Sequence, residues 1–298
     1  MSATLLSEEL GPVVRRRVRL ATVAAVVLLS ATTAAAVARL VARGQFAPAR
    51  WRPLFTLDVL GFLAQGLLST LRAALLAGVL ALAVGGLLAL GRLARAGLPR
   101  WIAGVYVEFY RALPLLTLVI FSYFGLPKLG LNFDRPLPYL VIALTAYNAA
   151  VLAEIFRAGI LSLERGQSEA AYAIGLTYWQ TMFLVVVPQA ARRMVPAIVS
   201  QLVTLLKDTS LGAIIAYEEL VRAGQLTGTF HDNPLQALTL VALVFVAVNY
   251  VLGRLAAALE RRQARRFGAE GIHVAGGPED LVLMTEQART NPRGATPR

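Results

Sequence analysis

No cysteine occurs in this chain, which excludes disulfides, thiol catalysis and thiolate metal sites. Histidine is nearly absent: His231 and His273 stand far apart in sequence, so neighbouring positions offer no histidine metal cluster. Charge is scarce too, at 15% of 298 residues, where soluble domains carry about 25%. Of the 29 basic residues only Lys128 and Lys207 are lysines, and Lys207 lies inside an apolar segment. A phosphate-cradling GxxxxGK(S/T) loop is missing, so the chain does not bind ATP by that means. Neither a serine–histidine pairing nor paired carboxylates sit on a recognisable scaffold. The sequence offers no catalytic residue, no metal site and no covalent chemistry.

What the chain has in abundance is apolar surface: 57% of its residues are hydrophobic and its mean hydropathy is +0.63. A net charge of +12 would suggest nucleic acid in a soluble protein. Here the arginines gather at the ends of apolar runs, where the positive-inside rule explains them, and the partner they face is membrane lipid. Residues 1–19 read as a cytoplasmic segment ending in Arg15, Arg16, Arg17 and Arg19. Residues 20–42 are long enough to span a bilayer. The basic-then-apolar order is also that of a signal peptide, but the run exceeds a usual signal core, which favours a retained helix. Residues 43–65 read as an outer interfacial loop, although Arg43, Arg50 and Arg52 there oppose the positive-inside rule.

A transmembrane domain over 66–257 follows. Its five spans are expected at Gly66–Leu90, Trp101–Leu126, Leu137–Arg157, Val195–Glu218 and Leu235–Leu255. Six spans in all put both termini in the cytoplasm. Residues 258–298 read as a cytoplasmic tail, and its last part, rich in Gly, Pro and Thr, reads as lacking a fold of its own.

One polar, glycine-broken insert separates two apolar stretches: QSEAAYAIGLTYWQTMFLVVVPQA, residues 167–190. Ser168 is suited to cap a short helix, with Glu169 at the positive end of its dipole. Ala170, Ala171 and Ala173 would let another backbone approach, and Gly175 would end the helix at a residue with positive φ. Thr177 and Gln180 have the spacing of a capping box for a second helix through Trp179, Met182 and Phe183. Pro188 is expected to end it. Exposed alanines and aromatics on a rigid helix–turn–helix at 168–189, outside the bilayer, make a docking element.

Several polar groups fall inside apolar runs. Arg72 either snorkels to the outer headgroups or faces a wet cavity. Glu108 and Arg111, and likewise Glu154 and Arg157, have the i,i+3 spacing of ion pairs, and Pro114 is expected to distort its helix. Lys207, Asp208, Thr209 and Ser210 interrupt the fourth span. Adjacent opposite charges diverge on a helix and cannot simply shield each other. They imply a broken helix beside a substrate path, an inter-helix salt bridge, or both.

Four blocks carry a resemblance: YVEFYRALPLLTLVIFSYFGLP (106–127), AEIFRAGI (153–160), EAAYAIG with VVVPQA (169–175 and 185–190), and LLKDTSLGAII (205–215). In this order and spacing the chain, over roughly residues 66–253, resembles the polar amino acid branch of the ABC-importer permeases. The resemblance implies an all-α polytopic fold of the type I importer permeases, with a five-helix core plus one added N-terminal helix. It implies a cell-membrane complex with a second permease, identical or homologous, and ABC ATPase subunits that bind ATP-Mg, this chain holding no cofactor. An extracellular solute-binding protein would deliver the substrate. Glu169, Ala170, Ala171, Gly175 and Trp179 would couple to the ATPase. The third core span lines the path in that family, which adds Tyr147 and Asn148 to Arg72, Lys207, Asp208, Thr209 and Ser210. The surplus positive charge favours glutamate or aspartate, with glutamine close behind. A basic amino acid, cystine or an opine is the alternative. An ion-coupled secondary transporter would show repeated spans, and none is found.

Overall fold

The computed structural model describes residues 11–94 and 97–267, and every regular element among them is helical. Residues 1–10, 95–96 and 268–298, most of the expected tail, lie outside the described residues. Helix α1 runs Pro12–Ala42, starting earlier than expected at Leu20. Proline at its first turn lacks only an N–H that would have no partner there, so the basic stem joins the helix. Thr22 and Thr32 turn their hydroxyls onto the carbonyls of Val18 and Leu28, which satisfies those groups without a neighbour. The apolar stretch of α1 is exposed throughout.

The expected loop over 43–65 is largely helical. It holds α2 (Pro48–Trp51), a 3-10 turn (Arg52–Phe55) and the first turns of the next helix. Gln236 Nε2 donates to the Gln45 carbonyl at 2.6 Å and Asn233 Nδ2 to the Arg50 carbonyl at 2.8 Å. Leu54 is fully buried beneath.

Helix α3 (Leu57–Leu93) has 37 residues and is roughly 55 Å long at 1.5 Å per residue. It packs most extensively on α6 (Pro136–Leu161). Small residues on one face, among them Ala73, Ala77, Ala81 and Gly85, are buried and bring the backbones together, as in close-packed membrane helices. A Cβ on Gly85 would stand 3.0 Å from both the Ala149 carbonyl oxygen and Leu152 Cβ.

Helices α4 (Leu98–Ala112) and α5 (Leu115–Gly125) meet at a 101° bend. Pro114 causes it: Leu113 before it is forced to extended backbone (ψ 138°), as pre-proline residues are. After α6 come α7 (Arg165–Ala173), α8 (Tyr178–Thr181), a π segment (Met182–Val186) and α9 (Val187–Asp208). A 3-10 stretch (Thr209–Ile215), α10 (Leu220–Phe230) and α11 (Pro234–Phe267) complete the described chain. Helix α11 therefore extends past 258, where the tail was expected to begin. Among the described residues five helices are long and apolar enough to cross a bilayer, and the bent α4–α5 pair meets the same requirement when its two helices are taken together.

Candidate coupling insert and translocation face

The insert begins earlier than expected. Glu164, not Ser168, occupies the cap position of α7, and Ser168 lies within the helix. Arg165, Gly166 and Gln167 take helical backbone, so the first turn forms before Ser168 is reached. Gly175 ends α7 at φ +85°, a conformation that costs side-chain-bearing residues about 1–2 kcal/mol. The Thr177–Gln180 capping box is formed, with the Thr177 N–H donating to Gln180 Oε1 at 2.8 Å. Pro188 does not end the helix. It falls in the first turn of α9, and the i→i+5 pattern of Met182–Val186 absorbs the local mismatch. The second arm of the insert thus continues directly into a membrane span.

Glu169 and Ala170 are exposed, while Ala171 is buried against the chain itself. Ile174 is 79% exposed and Trp179 49%, and Trp179 stacks on Phe183 with ring centroids 5.8 Å apart. Among the described residues, side-chain hydrogen bonds brace the insert to its surroundings. Gln189 Nε2 donates to Gln167 Oε1 (3.1 Å), Arg193 to the Ser162 carbonyl (3.0 Å), and the Tyr178 hydroxyl to the Leu93 carbonyl (3.0 Å). A rigid base presenting apolar side chains has the form of a docking surface.

Where the insert meets the bundle, Arg157 Nε donates to Glu154 Oε1 at 2.9 Å, as the sequence spacing implied. Arg92 of α3 reaches Glu154 at 3.4 Å and Glu108 at 3.9 Å. Among the described ion pairs Glu108 thus meets Arg92 and not Arg111. The charge it finds lies on another helix, which spacing along α4 cannot reveal.

At the polar run the fourth span changes its helical form without a sharp bend. Helix α9 stops at Asp208, and the chain tightens to 3-10 before Ala216 turns it at φ 59°. Thr209 is fully buried, and its hydroxyl donates to the Leu206 carbonyl at 2.6 Å. Lys207 and Ser210 line a cavity of about 440 Å³ with Val221, Phe245, Val246 and Asn249. Arg72 is exposed on α3 and Tyr147 is half-buried on α6. Asn148 is fully buried: its Nδ2 donates to the Leu144 carbonyl (2.9 Å), and its Oδ1 accepts from Gln201 Nε2 (2.8 Å). Asn148 and Thr209, expected on the path, therefore spend their polar groups inside the protomer.

Residues 81–265 match the family described as the binding-protein-dependent transport system inner membrane component. The chain belongs to this family. The permease is 39% identical over 239 residues to the glutamate transport system permease protein of Corynebacterium glutamicum, covering 79% of this chain and 87% of that one. It is 41% identical to a probable glutamine ABC transporter permease protein of Bacillus subtilis, covering 70% and 97%. Its fold is that of a solved amino acid ABC transporter crystallised with histidines, at TM-score 0.65 and 27% identity, covering 69% and 95%. The type I importer permease fold follows, and α1, α2 and α3 up to residue 80 lie outside the matched family region.

Two features of the permease escape sequence reasoning. Glu219, fully buried, caps α10 by accepting from the N–H groups of Val221 (2.9 Å) and Arg222 (2.7 Å). Burial pushes its carboxyl up to about 7 against those two bonds. Glutamate is not among the usual cap residues, so its position gave little signal. Tyr178 carried none, because its partner Leu93 is remote in sequence.

Proposed function

We propose that the permease and a second permease, identical or homologous, form the membrane path of an importer of polar amino acids driven by ATP hydrolysis on separate ABC ATPase subunits. The observation that carries this reading is the braced insert at 165–181, which leaves Ile174 and Trp179 exposed at the junction of two spans. Each insert seats in one ATPase, with Glu169, Ala170, Gly175 and Trp179 at the contact. ATP-Mg is held by that partner, and this chain supplies no cofactor ligand. An extracellular solute-binding protein delivers substrate to the outer face, in the cell membrane with both termini cytoplasmic.

Arg72, Tyr147, Lys207, Asp208 and Ser210 line the path. A zwitterionic substrate needs both signs of charge, and Lys207 beside Asp208 offers them where α9 gives way to 3-10 helix. The excess of cationic groups, together with the names of the two relatives, supports glutamate, aspartate or glutamine over a cationic amino acid. Uptake by the reconstituted complex tests this. Glutamate or glutamine should accumulate with ATP, and transport of arginine in place of both would overturn the substrate assignment.

A further inference from the structure

Helix α3 is gripped by one tyrosine hydroxyl towards each end. At the inner end Tyr178 donates to the carbonyl of Leu93 at 3.0 Å. Leu93 is the last residue of α3, so its carbonyl has no amide of its own helix to accept from. Tyr178 opens α8, whose start is fixed by the capping box. On the other side Tyr217 donates to the carbonyl of Ser69 at 2.9 Å. Beside it the N–H of Leu220 donates to Thr70 Oγ1 at 3.1 Å. Tyr217 follows the 3-10 stretch of the fourth span almost directly, and its own N–H donates to the Gly212 carbonyl at 2.9 Å.

Roughly 36 Å of unbroken helix joins the two grips. That length cannot bend easily, because its small-residue face lies on the α6 backbone around Gly85 and close-packed contacts transmit displacement. At the outer end a Cβ on Gly66 would stand 2.8 Å from Ala223 Cβ and 3.2 Å from Leu220 Cα, so α10 also follows α3. Satisfying hydrogen bonds does not explain the inner grip, since a helix-terminal carbonyl at the cytoplasmic end can be served by water.

We infer that α3 is the connecting rod between the cytoplasmic insert and the segment at 207–217, with Tyr178 and Tyr217 as positioning residues at the two ends of its Ser69–Leu93 stretch. The inference rests on the reading of 165–181 as the ATPase-docking insert. Movement of the insert draws on Leu93 through Tyr178, and α3 carries it to Ser69. Tyr217 then shifts the segment that bears Lys207 and Ser210.

The test uses the complete complex of permease, ATPase and solute-binding protein in proteoliposomes. Substrate moved per ATP hydrolysed is measured for the wild type, Tyr178→Phe, Tyr217→Phe and the double variant, with thermal midpoints recorded to confirm folding. Each single variant should keep the wild-type ratio of ATPase to permease on purification. Each should lower transport per ATP about five-fold, the factor that loss of one net hydrogen bond corresponds to. The double variant should be no worse than the weaker single one, because the two grips act in series. Unchanged transport per ATP in both single variants overturns the rod, and so do defects that multiply in the double variant. Loss of ATPase from Tyr178→Phe alone overturns it too, by making Tyr178 a docking residue. A wild-type permease that recruits no ATPase refutes the docking reading instead, and the rod falls with it.

Discussion

Replacing Asn148 by alanine should unfasten α6 from α9 without touching the substrate. The residue is fully buried, and its carbonyl oxygen is the acceptor for Gln201 on the facing helix at 2.8 Å. Interhelical hydrogen bonds in membranes average about 0.6 kcal/mol and reach about 1.7, because the unfolded chain in the bilayer also finds partners. Truncation leaves the half-buried Gln201 amide without this acceptor, which adds about 1 kcal/mol of desolvation. Asn148→Ala should therefore cost about 2–3 kcal/mol and Gln201→Ala about 1–2 kcal/mol. The double variant should fall short of their sum by about 1 kcal/mol. Unfolding of purified permease in mixed micelles reads the three losses, and uptake by the reconstituted complex reads the KM for substrate. A coupled loss with unchanged KM is expected. Additive losses, or a KM raised about ten-fold at normal stability, would put Asn148 on the path and refute its role as a fastener.

Gly85→Val forces a branched side chain to within 3.0 Å of the Ala149 carbonyl oxygen and Leu152. Overpacking of this kind costs about 1–3 kcal/mol and should lower the thermal midpoint, whereas Gly86→Val, with nothing nearby, should hardly move it. Trp179→Ala removes a half-exposed ring stacked on Phe183. It should leave the midpoint within a few degrees while weakening ATPase binding by about 2 kcal/mol, the size expected of an aromatic anchor. Glu219 gives a pH dependence. Its carboxyl sits near 7 in the folded chain against an ordinary 4.5, so the unfolded chain loses its proton first. Stability is then full below about pH 4.5 and declines as pH rises towards 7. Thermal midpoints measured across that range should slope less in Glu219→Gln than in the wild type.

Much of this was legible because it depends on neighbours along the chain. Apolar length marks the spans, Pro114 restricts the residue before it, Gly175 alone tolerates its φ cheaply, and Thr177 reaches Gln180 within one turn. The polar run at 207–210 likewise coincides with the place where α9 gives way to 3-10 helix. What was hidden depends on partners far away in sequence. The i,i+3 rule paired Glu108 with Arg111, while the structure offers Glu108 the guanidinium of Arg92 from α3. The bond from Gln201 to the Asn148 carbonyl joins residues 53 apart in sequence and was equally hidden. Pro188 looked like a terminator because a missing N–H usually ends a helix, but a π segment just before it lets the chain continue. Ser168 was one of several residues able to start α7, and local preference cannot rank them once Arg165–Gln167 also accept helical backbone.

The most direct test of the docking role of the insert is co-purification of the permease with its ATPase, and the ATP hydrolysis of the pair, in wild type and Gly175→Pro. Proline fixes φ near −65° where the chain requires +85°, so α7 and α8 can no longer keep their relative position. With the membrane helices still folded in detergent, loss of both the bound ATPase and the substrate-stimulated hydrolysis is expected. Retention of both at wild-type levels would contradict the docking role.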